Sequence, residues 1–257
     1  MQCTGAKILM ECLVEQGVDT IFGYPGGTIL NVYDELYNYE GDGRIKHILT
    51  AHEQGACHAA DGYARSTGRV GVCFATSGPG CTNLVTGIAT AYMDSSPIVC
   101  ITCNVGTSLL GKDSFQEVDI TGIAMPITKA TYLVRDPQTI PDVMRQAFAV
   151  AATGRPGPVL IDIPIDVQEQ SLKKFYYPEE VSIRGYKPSV KGNDLQIKRV
   201  VEAISRSKQP LICAGGGVWL ADAKEELLEL AERCSIPVVK TMMGLGLLPT
   251  DHPLNMG

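Results

Sequence analysis

Hydrophobic and polar positions follow two rhythms along this chain, and the helical one comes first. In residues 7–15 the apolar side chains Ile8, Leu9, Cys12 and Leu13 recur at the spacing of one helix face, with Thr4 placed to cap the start and Gly17 the end. A short strand is predicted over residues 20–24, closing on Pro25-Gly26-Gly27, and a helix over 28–37. Strands follow over 45–49, 70–75 and 98–102, separated by helices over 52–66 and 80–92. An irregular segment, 104–126, interrupts the rhythm before a strand over 131–134, a helix over 141–153 and a strand over 159–163. Near-continuous apolar strands alternating with helices predict a mainly parallel sheet covered on both faces, a three-layer α/β domain over residues 1–167. Ligands of such sheets gather at the carboxyl ends of strands. That rule picks out Tyr24 to Gly27, the turn before Glu53, and Thr76 to Gly80.

The texture changes over residues 168–191. Lys173, Lys174, Tyr176, Tyr177, Pro178, Glu179 and Glu180 read as an exposed linker. A second alternation begins after it: a helix over 194–205, a strand over 210–214, a glycine turn over 215–217, a helix over 221–234 and a strand over 236–240. Two strands make a thin core for an α/β domain, so 192–257 is expected to be an incomplete one.

Composition narrows the classes. Of 257 residues, 45% are hydrophobic and 19% charged, which supports a packed core and excludes wholesale disorder. Lys and Arg number 22 against 28 Asp and Glu, a net charge of −6 with no basic block, which argues against nucleic acid or an anionic membrane as the main partner. Lys7, Glu11 and Glu15 interrupt the apolar pattern of residues 1–15, so no signal peptide is expected there, and no apolar run approaches the roughly 20 residues of a membrane span. The expected compartment is the cytoplasm.

Several short patterns carry less chemistry than they promise. Cys100 and Cys103 form a CxxC, but inside the apolar run Pro97-Ile98-Val99-Cys100-Ile101-Thr102-Cys103. Residues three apart on a strand point to opposite faces, so these are expected to be buried small hydrophobes, with no second pair to complete a metal site. His52 and His58 are six apart, too far for a zinc-helix pair, which needs four. Lys112 follows Gly111 without phosphate-loop spacing, and Gly78-Pro79-Gly80 has Asn83 where a dinucleotide fingerprint wants glycine.

The run from His52 to Arg65 is more unusual. Ala56, Ala60 and Ala64 make a small-residue stripe that would let another helix or a flat ligand come close. Glu53 falls at the helix start, directly after an apolar strand. A helix N-terminus favours a carboxylate and burial favours the carboxylic acid. A carboxyl held between the two can share a proton with a ligand nitrogen. By spacing alone, the favoured reading of Glu53 is an exposed acid of a first helical turn.

Taken together, FGYPGG (22–27), HEQGACHAADGYAR (52–65), TSGPGCTN (76–83), FQE (115–117) and GRPGPVLIDIP (154–164) resemble the N-terminal half of the acetolactate synthases, thiamine diphosphate-dependent enzymes. The AGGG turn (214–217) and TMMGLG (241–246) resemble their central domain. The likeness covers nearly the whole chain, in order.

The resemblance implies roles. Glu53 would be the glutamate that bonds the aminopyrimidine ring, favours its imino tautomer and so lets the cofactor lose its C2 proton. Tyr24, Pro25, Gly26 and Gly27 would form the turn beside the cofactor, with the backbone of Gly26 and Gly27 near its reactive amine and Gly27 counted among the catalytic positions. Thr76, Pro79 and Asn83 would flank the pyrimidine, and Phe115 and Gln116 would line the substrate channel. Arg155, Gly215, Gly216, Gly217, Thr241, Met242 and Met243 resemble positions that bind a structural FAD. Ile165 stands where the family commonly carries lysine near the substrate entrance.

The parent reaction would decarboxylate pyruvate and add the hydroxyethyl carbanion to a second 2-ketoacid, giving 2-acetolactate or 2-aceto-2-hydroxybutyrate for branched-chain amino acids. Mg2+ would be held in a C-terminal domain; Gly41-Asp42-Gly43 lacks the asparagine partner of that motif, so no metal site is expected in this chain. Active sites in the family are shared between subunits, which implies a dimer or tetramer, sometimes with a regulatory small subunit, and a chain inactive alone. A pyruvate oxidase, a 2-ketoacid decarboxylase, another carboligase or a non-catalytic module remain alternatives.

Overall fold

The computed structural model describes residues 3–257, so Met1 and Gln2 of the stretch read above as free of a leader lie outside it. The chain divides into two compact units, Met1–Pro188 and Ser189–Gly257. No helix among the described residues is long and apolar enough to cross a membrane.

In the first unit, β1 (Cys3–Thr4) leads into α1 (Gly5–Glu15), whose start is capped by Thr4 accepting a hydrogen bond from the Lys7 amide. There follow β2 (Thr20–Gly23), α2 (Leu30–Gly41), β3 (Lys46–Leu49), α3 (Glu53–Thr67) and β4 (Gly71–Ala75). After these come α4 (Pro79–Thr82), α5 (Val85–Asp94), β5 (Ile98–Asn104), α6 (Ile120–Ala124), β6 (Ala130–Leu133), α7 (Ile140–Ala152) and β7 (Val159–Pro164). The unit closes with α8 (Ile165–Glu169) and β8 (Ser171–Leu172). Six strands form one parallel sheet in the order β3-β2-β4-β5-β7-β6.

Alternate side chains of the central strands feed two cores. Val72, Phe74, Val99, Ile101 and Cys103 join α1, α2 and α7 on one face, while Cys73, Ala75, Ile98 and Cys100 join α3 and α5 on the other. Burial on both faces is why these strands read as near-continuous apolar runs. It also places Cys100 and Cys103 in different cores, as the strand period requires.

The alanine stripe of α3 is covered by protein. A Cβ added at Gly71 would stand 2.1 Å from the Ala60 carbonyl oxygen, and one at Gly87 in α5 would stand 2.6 Å from the Cys57 sulfur. The stripe therefore serves close packing of helix on strand and helix on helix, not the flat ligand also considered above.

Three expectations are corrected. The single helix predicted over 80–92 is two, because the Leu84 amide bonds Cys81 three residues back and tightens the chain between them. The exposed linker expected from residue 168 begins later. Gln168 is buried in α8, β8 pairs antiparallel with β1, and Leu172, Phe175, Tyr177, Ile183 and Tyr186 pack on the first core. In the second unit the glycine turn over 215–217 continues as a helix.

That second unit holds α9 (Asp194–Arg206), β9 (Ile212–Ala214), α10 (Gly216–Leu220), α11 (Lys224–Cys234) and β10 (Val238–Lys240). The two strands are parallel, and Ala214, Ala231, Val238, Leu247 and Leu248 form a small core.

Candidate functional site

The chain leaves β2 toward β3 on one side and returns to β4 on the other. Where strand order reverses in this way, the loops at the carboxyl ends part and open a crevice. Gly26 and Gly27 follow β2, Glu53 follows β3, and Thr76 to Gly80 follow β4, so the reversal point gathers them.

Thr28 ties these loops together. Its hydroxyl donates to the Cys103 carbonyl at 2.7 Å and accepts from the Ser77 amide at 3.0 Å. A hydroxyl has one hydrogen, so across the 3.0 Å contact with Thr76 it is Thr76 that donates. The Thr76 oxygen in turn accepts from the Thr28 amide at 3.3 Å. The ends of β2, β4 and β5 are thereby fixed to one another. Buried Gln168 adds to this by donating to the carbonyls of Thr28 and Ile163. Neither Thr28 nor Gln168 was singled out from sequence. A threonine after two glycines reads as a helix start, and only the approach of two other strands gives it further partners.

Glu53 is the first residue of α3, and His52 before it caps the helix by accepting from the Gln54 amide at Nδ1. His52 is thus a cap and His58 an exposed helix residue. The Glu53 side chain is buried, at 7% exposure. Its Oε2 accepts from Asn83 Nδ2 at 2.9 Å. Its Oε1 looks toward Gly80, where an added Cβ would stand 3.2 Å from that oxygen and 2.5 Å from the Thr76 methyl. A Cβ at Gly26 would likewise strike the Thr76 methyl at 2.4 Å. Glycine at both positions keeps the space before the carboxyl clear. Gly78, at φ +58°, makes the turn into α4, and the buried Cys81 thiol donates to its carbonyl. Burial pushes that thiol up to about 12, so it stays a donor.

Gln116 also approaches this turn. Its Cα would stand 2.9 Å from a Cβ at Gly78, and its own φ is +58°. Phe115 beside it is 86% exposed and Tyr24 is 42% exposed. Pro25, Gly27 and Pro79 are also exposed. The Glu53 site is therefore a buried carboxyl bordered by an open, partly aromatic rim. Two clefts lie elsewhere: one of about 390 Å3 lined by Asp19, Tyr63, Arg69 and Arg145, and one of about 340 Å3 lined by Asn104, Glu117, Arg135 and Asp162.

The remaining candidates fall in both units. Arg155, in the first, donates from Nε to Ser95 at 2.6 Å and from a terminal nitrogen to the Met93 carbonyl, which pins the end of α5. In the second, Gly215 follows β9 and Thr241 follows β10, with the Thr241 amide bonded to the Ala214 carbonyl. A Cβ at Gly215 would stand 3.4 Å from the Thr241 hydroxyl and one at Gly216 3.0 Å from the Met243 Cβ. Gly215, Gly216, Thr241 and Met243 thus form one surface at the carboxyl ends of two parallel strands, with exposed Gly217 and Met242 adjoining.

Comparison with known proteins agrees with this layout. Residues 3–123 match the family model described as thiamine pyrophosphate enzyme, N-terminal TPP binding domain, and residues 197–257 match that family's central domain. The chain is 53% identical over 255 residues to the "Probable acetolactate synthase large subunit" of Methanocaldococcus jannaschii, covering 98% of this chain and 42% of that protein. It is 54% identical over 257 residues to the "Acetolactate synthase" of Arthrospira platensis, covering 99% and 44%. Against the "Acetolactate synthase large subunit" of Corynebacterium glutamicum the figures are 52% over 254 residues, covering 99% and 40%. The chain spans about two-fifths of the length of these relatives.

Proposed function

This chain belongs to the thiamine pyrophosphate enzyme family, and on that premise we propose that it is the pyrimidine-binding and leading central part of an acetolactate synthase catalytic subunit. The observation that carries the reading is the buried Glu53 carboxyl, with one oxygen held by Asn83 and the other facing a glycine-cleared space. That arrangement fits an aminopyrimidine. Asn83 fixes the carboxyl, so that its second oxygen would be free to hold a proton at a ring nitrogen of the bound cofactor, and burial would keep water from competing for it. Gln at position 53 keeps the shape and loses the shared proton.

Bound thiamine diphosphate would supply the carbanion chemistry that removes carbon dioxide from a 2-ketoacid. Tyr24, Pro25, Gly26, Gly27, Thr76 and Pro79 would border it, with Gln116 and Phe115 on the side where substrate enters. The substrates would be pyruvate and a second 2-ketoacid, and the pathway that of valine, leucine and isoleucine in the cytoplasm.

Mg2+ asks for oxygen ligands. Among the described residues the one group of three or more His, Cys, Asp or Glu side chains close enough to share an ion is all sulfur. By the family resemblance, magnesium and the diphosphate would be held by a C-terminal domain of a second subunit in a dimer or tetramer. FAD would be held by the surface of Gly215, Gly216, Gly217, Thr241, Met242 and Met243 in the second unit. The "large subunit" in the relatives' names favours a small regulatory partner.

The test is product analysis on the full-length polypeptide that carries this segment, supplied with thiamine diphosphate, Mg2+ and pyruvate. The expected product is 2-acetolactate with release of carbon dioxide. Acetaldehyde as the main product, or consumption of an electron acceptor, would overturn the reading in favour of a decarboxylase or an oxidase.

A further inference from the structure

Three thiols that the site does not use meet inside the first unit. Cys57 comes from α3, Cys73 from β4 and Cys100 from β5, and their sulfur atoms all lie within 4.8 Å of one another. Cys73 is 3.4 Å from Cys100, and Cys57 is 4.0 Å from Cys100. All three side chains are fully buried among Ala56, Ala60, Ala75, Ile88, Ile98 and Leu160. Gly87 of α5 leaves the space that Cys57 fills, since a Cβ there would reach its sulfur at 2.6 Å.

Three convergent sulfur donors select a thiophilic centre. Charge selects further. Three thiolates bring −3, so a monovalent ion would leave −2 and a divalent ion −1 in an apolar core. Burying an uncompensated charge costs several kcal/mol. A trivalent centre leaves no charge.

We propose that Cys57, Cys73 and Cys100 form a closed three-thiol site for trivalent arsenic, taken up as neutral arsenous acid. Three As–O bonds break and three As–S bonds form. Each thiol proton leaves with a hydroxide as water, so As(OH)3 and three thiols give As(SR)3 and three waters with no change of oxidation state. The neutral reagent meets no charge barrier on entering the core. Uptake requires α3 to lift from the sheet, so it is slower than reaction at the exposed Cys213 and Cys234. The inference stands independently of the thiamine reading, because it uses none of the residues assigned to that site.

The experiment adds arsenous acid to the reduced full chain, both folded and during refolding from denaturant. Native mass spectrometry and arsenic-edge X-ray absorption then read the product. The expected result is one arsenic per chain replacing three protons, bound by three sulfurs and no oxygen. Cys57→Ala, a mild change on a helix, should weaken binding by more than about 100-fold, with the fold checked by circular dichroism. A Cys213→Ala/Cys234→Ala variant should bind as before. No arsenic after refolding, an oxygen in the arsenic shell, or unchanged binding by Cys57→Ala overturns the proposal. So does tighter binding of Zn2+ or Cu+ in direct competition.

Discussion

Burial alone does not decide the state of a carboxyl in this sheet; its partners do, and Asp162 makes the point. It sits at 2% exposure in β7, accepting from Thr102 and Asn104, each at 2.7 Å. Loss of hydration pushes its ionisation up to about 6, the two donors pull the other way, and the Asp119 carboxylate adds to the rise. The folded chain therefore holds this proton more tightly than the unfolded chain between the ordinary value of 3.8 and about 6. Stability from this group is full below pH 4 and is lost as pH rises through 6, by about 3 kcal/mol at the conversion of 1.36 kcal/mol per unit. In Asp162→Asn that slope should vanish, so the variant gains on the wild type between pH 4 and 6 in urea unfolding. A difference independent of pH would contradict this. Glu53 was legible only through the resemblance carried by residues 52–65, because a glutamate in a first helical turn is ordinarily exposed and its burial here comes from loops after other strands. Thr28 and the Cys57–Cys73–Cys100 cluster were not, since their partners come from elements far apart in the chain.

Elements follow the same division. The strands β4, β5 and β7 are legible because burial on both faces leaves them almost wholly apolar, the exceptions Thr102, Asn104 and Asp162 bonding one another. α8 and the β1–β8 pair are not, because five and two residues are too few to show a period. The break between α4 and α5 escaped for a different reason: both halves bury the same face, so periodicity runs through it. The contact of α3 with β4 has a sharper consequence. Alanine normally improves on glycine inside a strand by roughly 0.5–1 kcal/mol. At Gly71, however, the Cβ would meet the Ala60 carbonyl at 2.1 Å, and neither backbone can yield easily. Overpacking of this kind costs about 1–3 kcal/mol, so it should outweigh the gain. Gly71→Ala is expected to lower the urea midpoint without changing the m-value. A midpoint equal to or above the wild type would show that α3 is not so tightly seated.

At the scale of the molecule, the first unit carries two substantial cores and the second a small one. The sequence showed this imbalance through strand counts. It misplaced where the first unit ends, because the aromatic side chains of the polar segment, Phe175, Tyr177 and Tyr186, bind it to the first core. The Glu53 site lies at the open strand ends of that unit, with an exposed rim at Tyr24, Pro25, Gly27, Pro79 and Phe115. The account turns on whether Glu53 shares its proton with the cofactor. The most direct measurement is the rate of C2 proton exchange in bound thiamine diphosphate, compared between the full-length protein and its Glu53→Gln variant at matched cofactor occupancy. A positioned proton-sharing group contributes about 10²–10⁴-fold. The account predicts that exchange slows by that amount while the fold is kept. Exchange at the wild-type rate in Glu53→Gln would contradict it.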